Sequence, residues 1–159
     1  MLIKVCGLTR AADVAACLEL DIDWLGFIFH APSPRCVQPE IAAGLPKGRA
    51  LRVGVFVRQS PQEVLQIMDQ SGLDLAQLHG PYSLSDCRDI GRERVIKTFW
   101  PMRHSRPDTF QQELESYAPA CRYMLLDSGT SGGGHGRSAQ VQWLSRIIFP
   151  RPWILAGAL

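Results

Sequence analysis

Short β-branched and apolar runs, each followed by polar or glycine residues and then a helical pattern, recur along the whole chain. They predict strands at Leu2 to Cys6, Trp24 to Phe29, Leu51 to Val57, Leu75 to Leu78, Val95 to Phe99, Tyr123 to Leu126 and Trp153 to Leu155. Helices are expected at Ala11 to Leu20, Ser60 to Ser71, Ser83 to Ile90, Pro107 to Tyr117 and Ala139 to Ile147, with a short or irregular one near Gln38 to Leu45. Alternation of this kind implies a parallel sheet with right-handed crossovers, closed as a (β/α)8 barrel or left open and doubly wound. The first strand ends in Cys6-Gly7-Leu8-Thr9, which lacks the Gly-x-Gly-x-x-Gly fingerprint of dinucleotide-binding open sheets. Polar or reactive residues stand at successive strand ends instead: Cys6, His30, Arg58, His79, Lys97 with Thr98, Asp127 with Ser128, and Gly157. A barrel gathers all of these on one rim, so the expected fold is α/β of the (β/α)8 TIM-barrel type, with strands one to seven present.

The best-marked helix opens at Ser60-Pro61-Gln62-Glu63, which supplies an N-cap hydroxyl, a proline at the first helical position and a glutamate to complete a capping box. Gly72 offers its stop. Val53-Gly54-Val55-Phe56-Val57 carries no polar side chain, as a strand covered on both faces requires.

Composition narrows the function classes. With 159 residues, of which 46% are hydrophobic and 20% charged, the chain is long enough for one core and is expected to form a single domain over residues 1–159. Its 17 basic and 15 acidic residues form no basic block, which leaves nucleic acid and anionic membranes without an electrostatic footprint. No apolar run approaches the roughly 20 residues of a membrane helix, and no secretory signal opens the chain, so a cytoplasmic protein is expected. The five cysteines are scattered without a Cys-x-x-Cys pair, and the four histidines show no ligand spacing, so neither a disulfide framework nor a metal site is expected.

Five features carry candidate chemistry, and each also has a plainer structural reading. Cys6 closes an apolar strand before Gly7; at a barrel mouth its thiolate can act as a base, and the alternative is a small buried hydrophobe. Asp127 ends a strand that needs no acid there; it is a candidate general acid, if burial or a neighbouring anion keeps it protonated, or else a turn residue before glycines. Arg35, on the proline-stiffened Ser33-Pro34-Arg35 loop, can grip a carboxylate in bidentate fashion or lie in solvent. The Gly129 to Gly136 segment can close over a ligand or present amides to an anion, or serve as a linker. Ala156-Gly157-Ala158 lies where barrels bind phosphate, after strand seven, or makes a tight packing turn.

Taken in order, Lys4-Val5-Cys6-Gly7-Leu8-Thr9, Leu25-Gly26-Phe27-Ile28-Phe29, Ser33-Pro34-Arg35, Val53-Gly54-Val55-Phe56-Val57, Gln77-Leu78-His79-Gly80, Lys97-Thr98-Phe99, Leu126-Asp127-Ser128 and Leu155-Ala156-Gly157 resemble phosphoribosylanthranilate isomerase of tryptophan biosynthesis, from end to end. The resemblance implies a cofactor-free Amadori rearrangement of N-(5-phosphoribosyl)anthranilate, a phosphorylated sugar–anthranilate. It implies Asp127 as general acid on the furanose ring oxygen, Cys6 as general base at C2, Arg35 at the anthranilate end, Gly157 and Ala158 at the phosphate, and Gln77 and His79 lining the pocket. A monomer or homodimer is the expected state.

Three departures from the family pattern stand out. Gly133-Gly134-His135-Gly136 replaces the usual Gly-Gly-Thr-Gly, and Ala158 replaces a second glycine, putting a methyl group near the phosphate. Family members also continue with a further helix, an eighth strand and a last helix, whereas this sequence stops at Leu159. An incomplete barrel with unpaired edges on strands one and seven is therefore expected. The alternative reading is a catalytically inactive or incomplete barrel fragment that keeps ligand binding or acts as an assembly piece. Neighbouring phosphosugar barrels, indoleglycerol-phosphate synthase or a pentose-phosphate epimerase, need a lysine acid or a metal site, and neither constellation is evident.

Overall fold

The repeating unit of the sequence is the repeating unit of the structure, a computed structural model that describes residues 2–129 and 143–157. Two compact units divide it, Met1–Pro81 and Tyr82–Leu159.

In the first unit the strands β1 (Lys4–Cys6), β2 (Trp24–Ile28), β3 (Leu51–Phe56) and β4 (Leu75–Leu78) lie side by side in sequence order, all parallel. Between them run the helices α1 (Ala11–Glu19), α2 (Pro39–Gly44) and α3 (Pro61–Ser71). Strand β1 starts two residues later than the apolar run predicts, because pairing with β2 begins only at Lys4 opposite Trp24, and Leu2 and Ile3 are exposed. Ser60 caps α3 as its spacing predicts: its hydroxyl accepts from the Glu63 amide, and the Glu63 carboxylate accepts from the Ser60 amide at 2.7 Å. Gly72 ends that helix in the left-handed region, at φ 62°.

Register assigns each side chain to a face, because paired residues of parallel strands point the same way and neighbours along a strand point opposite ways. Val5, Leu25 and Arg52 share one face. The Arg52 guanidinium lies 4.6 Å from the Phe27 ring centroid and donates to the carbonyls of Ala42 and Ser71, so this face carries α2 and α3. Lys4, Cys6, Trp24, Gly26, Val53 and Gln77 occupy the other.

In the second unit β5 (Val95–Phe99), β6 (Tyr123–Asp127) and β7 (Trp153–Ala156) are again parallel and in sequence order, with α4 (Leu84–Ile90) and α5 (Pro107–Tyr117) between them in the chain. Phe99 meets Phe110 and Tyr117 of α5 edge to face, at centroid distances of 6.4 and 5.7 Å, which fixes the helix-bearing face. Lys97, Phe99, Met124 and Leu126 belong to it; Thr98, Leu125, Asp127 and Ala156 lie on the opposite face. Of the helix expected at Ala139 to Ile147, residues 139–142 lie outside the described residues, and the described part is a 3-10 turn, Leu144–Arg146. Among the described residues no helix is long and apolar enough to cross a membrane.

Candidate active site

Within each unit, chemistry-bearing residues stand at or just after the carboxyl ends of the strands. In the first unit Cys6 is exposed, not the buried small hydrophobe of its plainer reading. The chain turns sharply after it: Gly7, at φ 85°, and Leu8 both donate their amides to the Gly26 carbonyl. Arg35 arrives from the loop after β2 and donates from Nη1 to the Cys6 carbonyl at 3.2 Å. It lies so close over Gly7 that a β-carbon there would stand 2.7 Å from Nη1. Arg35 is thus tied to the end of β1 and still exposed enough to reach a ligand.

Lys4 stands two residues before Cys6 on the same face, and the glycine facing them on β2 leaves room for both. A β-carbon on Gly26 would stand 2.8 Å from the Cys6 Sγ and 3.0 Å from the Lys4 Nζ. The sequence reading did not single out Lys4 as a site residue, although period-two alternation from Cys6 places it on the same face.

At the end of β4, the Gln77 Nε2 and the His79 Nδ1 lie 3.4 Å apart. The Gln77 Oε1 is buried without a hydrogen-bond partner among the described residues, and so is the Thr98 Oγ1 of the second unit. Both belong to helix-free faces.

In the second unit Asp127 is 3% exposed, and its Oδ1 accepts the Gly129 amide at 2.8 Å. That contact is the turn role open to an aspartate before glycines. Ala156 of β7 is its register partner, and Gly157 follows at φ 98°. A β-carbon on Gly157 would overlap the Ser128 hydroxyl and stand 3.0 Å from the Ser128 amide, so the backbone after β7 sits directly against the residue after Asp127.

One residue of the expected rim belongs elsewhere. Lys97 points to the helix-bearing face, not with Thr98, because adjacent strand residues face opposite ways. Its Nζ lies 5.2 to 5.8 Å from the rings of Phe99, Trp100 and Tyr117 and donates to the Thr98 carbonyl. Burial holds its ammonium below the ordinary lysine range, and the buried thiols of Cys87 and Cys121 are pushed up to about 11 and about 12. Ala158 and the Gly133 to Gly136 segment lie outside the described residues. A cavity of about 670 Å³ in the first unit sits at the amino ends of β2 and β3, beside Trp24 and Leu51, away from Cys6.

Residues 3–159 match the family model described as N-(5'phosphoribosyl)anthranilate (PRA) isomerase. The chain belongs to that family. The N-(5'-phosphoribosyl)anthranilate isomerase of Desulfovibrio desulfuricans is 48% identical over 159 residues, covering 100% of this chain and 75% of that protein. The crystal structure of phosphoribosyl anthranilate isomerase from Thermus thermophilus superposes with a TM-score of 0.83 at 32% identity, over 100% of this chain and 78% of that one. A phosphoribosyl anthranilate isomerase solved in complex with reduced 1-(o-carboxyphenylamino)-1-deoxyribulose 5-phosphate matches at 28% identity and a TM-score of 0.66, over 99% of this chain and 88% of that one. The fold is the (β/α)8 TIM-barrel type, represented among the described residues by seven parallel strands.

Proposed function

We propose that this chain catalyses the Amadori rearrangement of N-(5'-phosphoribosyl)anthranilate to 1-(2-carboxyphenylamino)-1-deoxyribulose 5-phosphate by general acid–base catalysis. The observation that carries the reading is the pairing of family membership over residues 3–159 with an exposed thiol ending β1 and a buried carboxyl ending β6, each on a helix-free face. In barrels of this type the carboxyl ends of the strands hold the chemistry.

Asp127 delivers a proton to the furanose ring oxygen, the C1–O bond breaks, and the aryl nitrogen's lone pair forms the C1 iminium. That iminium acidifies C2, and the Cys6 thiolate removes the C2 proton. The electron pair flows to C1=C2 and neutralises the nitrogen, giving an enolamine. Transfer of the C2 hydroxyl proton to C1 then yields the ketone, with no net loss or gain of atoms. Two groups suit this task only if one carries its proton while the other lacks it. Arg35 is assigned to the anthranilate carboxylate, Gly157 and Ala158 to the phosphate, and Gln77 with His79 to the lining of the pocket.

All five cysteines are free, which supports a reducing compartment, the cytosol. The substrate's fluorescence disappears on turnover and gives the assay. Cys6→Ala and Asp127→Ala are each expected to lower kcat by about 10²- to 10⁴-fold; equal turnover by parent and both variants would sink the assigned roles.

A further inference from the structure

We infer that Lys4 is a positioning residue for the base: its ammonium is the counter-charge of the Cys6 thiolate, held beside the sulfur in the space that Gly26 leaves empty. The inference rests on the reading of Cys6 as the base and adds the cation that faces its sulfur.

Three observations carry it. Lys4 and Cys6 are two residues apart on β1, so both side chains leave the same face, and Cys6 is the register partner of Gly26. The point where a β-carbon of Gly26 would sit is 2.8 Å from the sulfur and 3.0 Å from Nζ. The two groups can be no farther apart than those distances laid end to end, inside the roughly 4–6 Å over which one charge stabilises its opposite. Finally, the Lys4 ammonium makes no ion pair or hydrogen bond to a side chain among the described residues, so no carboxylate there competes for it. The other cation of this neighbourhood, Arg35, is engaged differently: its Nη1 bonds to the Cys6 carbonyl. The remaining neighbours on this face of β2, Trp24 and Gly26, do not titrate.

The full chain is treated with iodoacetamide at pH 7 without substrate, and alkylation is followed on the Cys6 peptide by mass spectrometry, which separates it from the other four thiols. Lys4→Met is expected to slow Cys6 alkylation several-fold, Lys4→Arg to restore most of the rate, and Arg35→Met to change it less than Lys4→Met does. In turnover, the rising limb of the Lys4→Met pH–rate profile moves to higher pH, a change that a merely structural lysine would not produce.

An unchanged alkylation rate in folded Lys4→Met overturns the inference. Should that variant not fold, the parent protein decides. Raising salt from about 0.01 M to 1 M screens a solvent-accessible pair and slows Cys6 alkylation, and a salt-independent rate is the overturning result. Failure of the functional reading looks different: Cys6 alkylation stays dependent on Lys4, while Cys6→Ala turns over substrate normally.

Discussion

Replacing Gly80 by alanine tests how tightly the end of β4 is locked to the end of β3. The added methyl would press into the carbonyl oxygen of Val57, with the carbonyl carbon at 2.9 Å and the Cα at 3.2 Å. Relief to the 3.4 Å of ordinary contact needs a movement of about 0.5 Å at the carbonyl carbon and more at the oxygen. Every atom concerned is backbone, so no side-chain rotation provides it. The Val57 segment is also pinned: the amides of Val57 and Arg58 both donate to the Gln59 Oε1 at 3.1 Å, and the Gln59 amide in turn donates to the Phe29 carbonyl. Overpacking of this kind costs roughly 1–3 kcal/mol, and weakening a pinning hydrogen bond adds about 1. A total near 3 kcal/mol lowers the Tm of a chain this size by roughly 6–12 °C.

Thermal unfolding followed by circular dichroism measures the shift, with Gly44→Ala as the control. Gly44 lies at the end of α2 with nothing near its would-be β-carbon, and its variant should unfold within about 2 °C of the parent. Because His79 precedes Gly80 and donates its amide to the Phe56 carbonyl at 2.8 Å, the Gly80→Ala displacement also moves His79. Its kcat/KM should therefore fall well below the transition temperature. A Gly80→Ala protein that melts within about 2 °C of the parent refutes the steric reasoning.

Three further outcomes are expected. Ser60→Ala removes the capping hydroxyl of α3 and should cost about 1 kcal/mol, read as a lower urea midpoint with unchanged slope. Arg52→Met strips the donor from the carbonyls of Ala42, Pro46 and Ser71 and should cost about 1–3 kcal/mol, with Arg52→Lys intermediate because it keeps the charge but not the fork. Burial holds Cys87 and Cys121 protonated in the folded chain up to about 11 and about 12, whereas unfolded thiols ionise from about 9. The folded state then binds more protons, so stability should fall as pH rises through that window, by up to about 1.4 kcal/mol per pH unit per thiol. Lys97, held below its ordinary 10.5, acts in the opposite sense beneath that value. Urea midpoints measured between pH 8 and 11 check this, and a Cys87→Ala/Cys121→Ala chain should lose most of the decline.

Helix and strand bounds were readable where the chain punctuates itself. Val95–Phe99 is bracketed by Arg92-Glu93-Arg94 and Pro101, and Pro107–Tyr117 opens on a proline and stops short of Pro119. β6 runs through Asp127, one residue past the apolar run, because Asp127 still pairs with Ala156; such pairing is a tertiary fact that an apolar pattern does not encode. The assignment of Lys97 to the rim failed for another reason. Its distance in sequence from the strand end is right, but it stands one residue from Thr98, and one residue on a strand exchanges the ligand face for the helix face.

The same alternation explains why the candidate site was legible only in part. Cys6 and Asp127 could be found because each closes an apolar run with a residue the run does not need. What surrounds them could not, because it lies on the neighbouring strand at a register that only folding sets. Opposite Cys6 the neighbour is Gly26, and beside Asp127 the chain passes through Ala156 into Gly157. In both places the small or absent side chain is what admits something else: the Cys6 sulfur with the Lys4 ammonium in one, the Ser128 hydroxyl against backbone in the other. A glycine on a strand reads in isolation as a weak point of the sheet. Paired with a reactive residue on the adjoining strand, it marks where the fold has made room for chemistry, and Gly26→Ala should for that reason disturb Cys6 reactivity more than its single methyl would suggest.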